Sequence, residues 1–328
     1  MDDSTLINGS NKYLQDTLLK VANGESTALE PHLAIINKNV LVDKTTASLH
    51  AYSFQVDANG NIRWKALVDF LVTCRVDYAI PKRKIAEAHT KDLESGNNTE
   101  MTRLADEARG LFADVTDSGE GGEILLYALA TNFLNFPQAI CKMSLKTNPN
   151  VYIHGSDGIY LEGCEDGGLN LYWGESKIYA QHSAAFSECF KSLKPFLLGA
   201  DSNSSPHHRD LMLLNEHMNL DDGQLEKLVK SYIDPNNPSS LKLHHCGLAL
   251  IGFDSDIYQP SDNVSSDLMT EFGRQFDSWQ SSTKRQIDRH QLQKIQMHVF
   301  CIPMHSVAEF RECFANRMGL QVGGDAAA

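Results

Sequence analysis

Between residues 117 and 198 the hydrophobic period switches twice, which constrains the fold more than any other feature of the chain. Leu125, Ala128, Leu129, Asn132 and Phe133 recur at three- and four-residue steps, giving one apolar helix face. Asp117 or Ser118 would cap that helix, and Phe136-Pro137 ends it. Residues 140–145, 151–161 and 169–179 are strand-like, split by Asn148-Pro149-Asn150 and by a glycine-rich turn at 163–168. Residues 183–198 return to helical spacing, with Ala184, Phe186, Cys189, Phe190, Leu193 and Phe196 as the apolar set. The order helix, strand, strand, strand, helix predicts an α/β fold with a mixed sheet flanked by helices.

The surrounding sequence reads more plainly. Strands are expected at 241–253 and 295–302, and a closing helix at 306–318. Residues 40–56 and 64–76 form ordinary elements, the stretch 71–76 being strand-like. Pro81-Lys82-Arg83-Lys84 reads as a solvated basic turn. Leu268, Phe272, Phe276 and Trp279 make an aromatic stripe at helical spacing. Such a stripe is either core or a docking face for a partner.

Composition excludes several classes. The 328 residues are 42% hydrophobic and 22% charged, as in a folded globular protein. The longest apolar run, 246–253, is far short of the ~20 residues of a membrane span. Met1-Asp2-Asp3-Ser4-Thr5 is acidic where an export leader would be basic, so a cytoplasmic protein with no membrane partner is expected. Seven cysteines, no two adjacent or at zinc-site spacing, suggest reduced and mostly buried thiols. With 29 Lys+Arg against 42 Asp+Glu the net charge is −13. A chain this acidic does not hold a phosphate backbone by bulk electrostatics, so a nucleic-acid role would need a local site, a metal or a partner.

One stretch carries chemistry. Glu175 and Lys177 sit two apart on the third strand, so their side chains leave the same face, with Ser176 facing away. On an open surface such a pair is worth under ~1 kcal/mol. Here the flanks are Leu171-Tyr172-Trp173-Gly174 and Ile178-Tyr179-Ala180, where a charged pair is costly unless it has a use. No other lysine in the chain has an acid two residues before it. Asp157, between Gly155 and Gly158 on the preceding strand, could converge with Glu175 on one divalent ion. In the first helix Glu120 and Glu123 share one side, opposite the Leu125/Leu129 stripe. Acids in a first turn are also favoured simply by the helix dipole.

Other candidates carry less. The adjacent pairs His207-His208 and His244-His245 diverge on a strand and read as structural or surface residues. A Cys141–His154 nucleophile has no local motif behind it. Gly119–Gly122 lacks the Gly-Lys-Ser/Thr ending of a phosphate-binding loop.

A helix acid, then Asp157, then Glu175-Ser176-Lys177 resembles the PD-(D/E)xK nuclease superfamily. Gly119-Glu120-Gly121-Gly122-Glu123, Gly155-Ser156-Asp157-Gly158-Ile159 and Trp173-Gly174-Glu175-Ser176-Lys177 together resemble the HamA family, the nuclease subunits of Hachiman anti-phage defence also known from the AbpA/AbpB pair. The resemblance implies a restriction-endonuclease-like core. Residues 1–115 would be an N-terminal extension packing on it, 116–320 the nuclease domain with carboxyl-terminal elaboration, and 321–328 a disordered tail. It implies Asp157, Glu175, Lys177 and Glu123 as catalytic residues, with Asp157, Glu175 and Glu123 (Glu120 less directly) binding Mg²⁺ or Mn²⁺. A superfamily 2 helicase of the HamB/AbpB type would be the controlling partner and DNA the substrate. Ser156 stands where the motif has proline, and Gln181 and His182 are placed for the polar residue of the following helix. Two alternatives stand beside this: a non-catalytic scaffold that clamps the helicase through the Trp279 stripe, and an RNA-directed nuclease, because the motif reads phosphates and not sugars.

Overall fold

A computed structural model of the chain describes residues 3–22, 28–112, 119–146, 155–199, 205–258 and 268–320. The run 246–253 lies inside a strand, Leu243–Asp254 (β5), that is buried from Cys246 to Phe253. A continuous apolar run of this kind marks a strand covered on both faces, where alternation is lost. β5 lies between Leu169–Ile178 (β4) and Met297–Met304 (β6), parallel to both.

Outward from that centre, β6 pairs in parallel with Ala47–Phe54 (β2), and β2 pairs antiparallel with Leu33–Leu41 (β1). On the other side β4 pairs antiparallel with Gly158–Gly163 (β3). Among the described residues this is one mixed six-stranded sheet, ordered β1-β2-β6-β5-β4-β3. Residues from the first sixth of the chain therefore complete the same sheet as the site-bearing strands, through Ala47 opposite Met297.

The helices in chain order are Asp3–Ala22 (α1), Trp64–Thr73 (α2), Arg75–Ala79 (α3), Lys82–Ser95 (α4), Thr99–Gly110 (α5), Glu120–Ala128 (α6), His182–Leu197 (α7), Pro206–Glu216 (α8), Gly223–Ile233 (α9), Leu268–His290 (α10) and Val307–Met318 (α11). α6, α2 and α11 cover one face of the sheet, while α7 and α10 cover the other. Each buries a stripe: Ala185, Phe186, Cys189, Phe190 and Leu193 in α7, and Val307, Phe310 and Phe314 in α11. The Ser306 hydroxyl caps α11 by accepting the Glu309 N–H. No helix among the described residues is long and apolar enough to cross a membrane.

Three local expectations change. Residues 71–76 end one helix and begin the next across a turn at Cys74, because Leu67, Val68 and Leu71 are buried at helical spacing and that packing overrides the β-branched composition. Residues 140–145 are not a strand: Ile140 makes an isolated bridge to Met218, and Lys142–Leu145 is one 3₁₀ turn. A short apolar run does not fix its own period, and here the chain turns to bring two lysines inward. Of 151–161, only the part from Gly158 is strand, with 151–154 outside the described residues. Asp117, Ser118, His154 and the 321–328 tail also lie outside them.

The aromatic stripe is core. Phe272, Phe276 and Trp279 are buried, with Trp279 edge-on to Phe253 and Phe272 against Tyr258. All seven cysteines are free thiols.

Candidate active site

The site sits where β3 stops. The β3–β4 ladder ends at Gly158 opposite Gly174, and one residue out the Asp157 N–H still donates to Gly174 O at 2.9 Å. The Asp157 carboxylate then takes the place of the next ladder acceptor. Its Oδ2 accepts the Ser176 N–H at 2.7 Å and the Ser176 hydroxyl at 2.8 Å. Beyond that point β4 keeps β5 on one side only, and the carbonyl of Ile178 is met by Arg311 Nη2 at 2.8 Å. The missing continuation of β3 leaves a cavity of about 390 Å³ at the sheet edge.

Glu120, Glu123, Asp157, Glu175 and Lys177 all line this cavity. Glu175 and Lys177 leave β4 on one face and form an ion pair, Lys177 Nζ to Glu175 Oε1. The first turn of α6 is brought in by its glycines. A Cβ at Gly122 would stand 3.1 Å from Ile178 Cδ1 and 3.2 Å from Ser176 Oγ, and one at Gly121 would stand 3.3 Å from the Phe314 ring. Without side chains at 121 and 122 the turn slots between β4 and α11 and holds its acids over the site. Glu120 pairs with Lys146 at 2.8 Å, and Glu123 Oε2 accepts the Tyr78 hydroxyl at 2.6 Å.

Burial first, then the negative charge of Asp157, pushes the Glu175 carboxyl far above the usual carboxylate range, against the opposing pull of Lys177. The same two causes, in the same order, raise Glu123, opposed by the Tyr78 hydrogen bond. Burial works against the Lys177 ammonium, but Glu175 and Asp157 outweigh it and hold the side chain protonated. Three carboxylates in a partly dry cavity thus repel one another, a strain that a divalent cation relieves.

The donor set fits such a cation in kind. Carboxylate oxygens are the hard ligands that Mg²⁺ and Mn²⁺ take, and Asp157 Oδ1 carries no hydrogen bond among the described residues. No group of three acid, imidazole or thiol side chains among the described residues is placed to hold a metal ion, Glu123, Asp157 and Glu175 included. Mg²⁺ does not require one, since it is ordinarily held by one or two carboxylates with water and substrate phosphate oxygens filling the rest.

Sequence reasoning missed Tyr78, Lys142, Lys146 and Arg311, which also line the cavity. Tyr78 and Arg311 are single residues on distant elements, and Lys142 begins and Lys146 follows one 3₁₀ turn, none with a motif around it. Gln181 and His182 do not line it: His182 lies against Phe186 and Phe253. His207 and His245 meet each other and Trp173 in an aromatic cluster. The buried Cys141 thiol is pushed up to about 11 chiefly by burial, the wrong direction for a nucleophile.

A model of the HamA family matches residues 31–318. The chain belongs to the HamA family. The HamA match begins just before β1 and ends on the last residue of α11, so every strand of the sheet and every residue lining the cavity fall inside it. Membership makes this a protein of the Hachiman anti-phage defence type. Comparisons with curated proteins and with solved structures gave no significant match.

Proposed function

We propose that this HamA-family chain is a metal-dependent nuclease of the PD-(D/E)xK kind, which hydrolyses DNA phosphodiester bonds as the effector of a two-component defence complex. The observation that carries the reading is the convergence of Glu123, Asp157 and Glu175, with Lys177, on one cavity at the broken edge of the sheet. Asp157 and Glu175, with Glu123, would hold Mg²⁺ or Mn²⁺. The ion would polarise the phosphoryl oxygen and acidify a bound water. Lys177 stays protonated, so its part is to orient that water and to neutralise charge developing on the phosphoryl oxygens. Arg311, already aimed at β4 from α11, adds a second positive group on the cavity wall. No side chain is needed as a covalent nucleophile.

The net charge of −13 supports a division of labour in which a superfamily 2 helicase partner brings the DNA. The scaffold alternative loses one of its two supports, because the aromatic stripe that would dock a partner is packed inside, and keeps only the acidic charge. The test is Mg²⁺-dependent plasmid cleavage by the chain together with its helicase, compared with the Glu175→Gln and Lys177→Ala variants. We expect both to abolish cleavage, and undiminished cleavage by both would exclude this site. RNA offered in parallel separates the two substrates.

A further inference from the structure

Asp210, in α8, has no exposed surface, yet nothing in the chemistry above uses it. Its Oδ2 accepts Lys142 Nζ at 2.6 Å, the Ser156 N–H at 3.0 Å and the Ser156 hydroxyl at 2.9 Å. Lys142 Nζ in turn donates to the Ser156 carbonyl at 2.8 Å and lies 3.1 Å from its hydroxyl. The N–H, the hydroxyl and the carbonyl of one residue are therefore all held by a single buried ion pair, and that residue immediately precedes Asp157.

The fit is close. A Cβ at Gly155 would stand 2.4 Å from Asp210 Oδ1 and 2.8 Å from Lys142 Nζ, so only glycine lets the backbone lie against the pair. Asp210 Oδ1 itself has no hydrogen-bond partner among the described residues. A buried ion pair gives little or no net stability over apolar residues of the same volume, and leaving an acceptor of it unpaired makes the balance worse. Stability is thus a poor reason for this arrangement, and geometry at Ser156 is a better one. A proline at 156, as the motif name has it, would hold the chain by its ring but would offer neither N–H nor hydroxyl. This chain replaces ring stiffness with two hydrogen bonds to a fixed carboxylate.

We propose that Asp210 and Lys142 are positioning residues for the active site: they lock Ser156, and through it aim the Asp157 carboxylate so that one oxygen stays on Ser176 and the other is left for a cation. This rests on the metal-dependent reading of the site. Groups that orient a ligand in this way typically change metal affinity by about 10- to 100-fold when removed.

The test is titration of the full-length chain with Mn²⁺ alone, followed by electron paramagnetic resonance, with the unfolding temperature recorded for each variant. The variants are Asp210→Asn, the double variant Lys142→Met with Asp210→Leu, Ser156→Ala, and Glu175→Gln as a site control. We expect the double variant to stay folded, with an unfolding temperature lowered only by the unpaired Ser156 groups because it leaves no unpaired buried charge, and to bind Mn²⁺ about tenfold or more weakly. Asp210→Asn should weaken binding similarly. Should either fail to fold, Ser156→Ala, which removes one hydroxyl, carries the comparison with a several-fold loss. Wild-type affinity in the Asp210 variants, with binding lost in Glu175→Gln, would overturn the positioning role alone. Absence of Mn²⁺ binding by the wild type, indistinguishable from Glu175→Gln, would overturn the metal reading and this proposal with it.

Discussion

The Asp157 carboxylate accepts the Ser176 N–H at 2.7 Å, in the place where the next residue of a longer β3 would have offered its carbonyl. One side chain thereby finishes the hydrogen bonding of an opened sheet edge and puts a negative charge beside Glu175. Closing β3 over this point would satisfy the same backbone group and remove the cavity.

Asp157→Asn separates these two roles. An asparagine amide can still accept from Ser176, so the unfolding temperature should change little or rise, because repulsion on Glu175 and Glu123 is removed. Cleavage should fall by on the order of a hundredfold or more, the usual loss when one electrostatic contact to a reacting centre is removed. Thermal melting and single-turnover cleavage check the pair of outcomes. A stable variant with full activity would remove Asp157 from the site.

The raised carboxyls give the metal-free protein a pH dependence with a definite sign. Glu123 and Glu175 have folded-state values above their unfolded ones, so in the fold they hold protons that the unfolded chain has already released. Their contribution to stability is complete below the unfolded value of about 4.5 and is lost as pH rises through the folded value, about 8. In EDTA the unfolding temperature should therefore fall between pH 5 and pH 8. Mg²⁺ should restore it most at the alkaline end, because the ligands must be ionised. Affinity should rise by up to about tenfold per pH unit for each proton displaced. A melting temperature in EDTA that is flat or rises across this window would count against buried, mutually repelling carboxylates.

What could be read from residues alone was the part where chemistry demands particular types at a fixed spacing. Glu175 and Lys177 had to share a strand face, Asp157 had to lie at or beside the neighbouring strand, whose end it proves to adjoin, and the acids of α6 came with glycines that betray close packing. The partners of those residues were not legible. Tyr78 reaches Glu123 from α3, Asp210 reaches Ser156 from α8, and Arg311 reaches Ile178 from α11. Each is fixed by tertiary packing that leaves no local pattern. The same reason hid the place of β1 and β2, since nothing in 47–51 announces that it will pair with 297–301. At 71–76, local β-branched composition pointed one way and the buried helical stripe the other, and burial decided.

Gly122 offers a test of the packing that places the α6 acids. A valine there brings a Cβ to 3.1 Å from Ile178 Cδ1 and adds two methyl groups beyond it. Overpacking of this kind costs about 1–3 kcal/mol and would push the first turn of α6 off β4. We expect a lower denaturation midpoint and weaker Mn²⁺ binding, both partly recovered by Ile178→Ala, which makes room. Loss of stability without any change in Mn²⁺ affinity would mean that the placement of this turn does not matter to the site.

Glu120 and Glu123 are separated by their partners. Glu120 is neutralised by Lys146, whereas Glu123 is held by a neutral hydroxyl from Tyr78 and stays under the field of Asp157. Glu123 therefore has the more to gain from a cation, and Glu123→Gln should lower Mn²⁺ affinity and cleavage more than Glu120→Gln does. Tyr78→Phe sharpens the distinction. It removes the hydrogen bond that lowers the Glu123 value, so that carboxyl should rise further and the acid limb of the pH–rate profile should move to higher pH. The rate well above that limb should be nearly unchanged, because the phenol itself touches no reacting atom. A uniform loss of rate at every pH, with no shift of the limb, would assign Tyr78 to packing alone, and a larger loss of Mn²⁺ affinity in Glu120→Gln than in Glu123→Gln would make Glu120 the stronger ligand of the two.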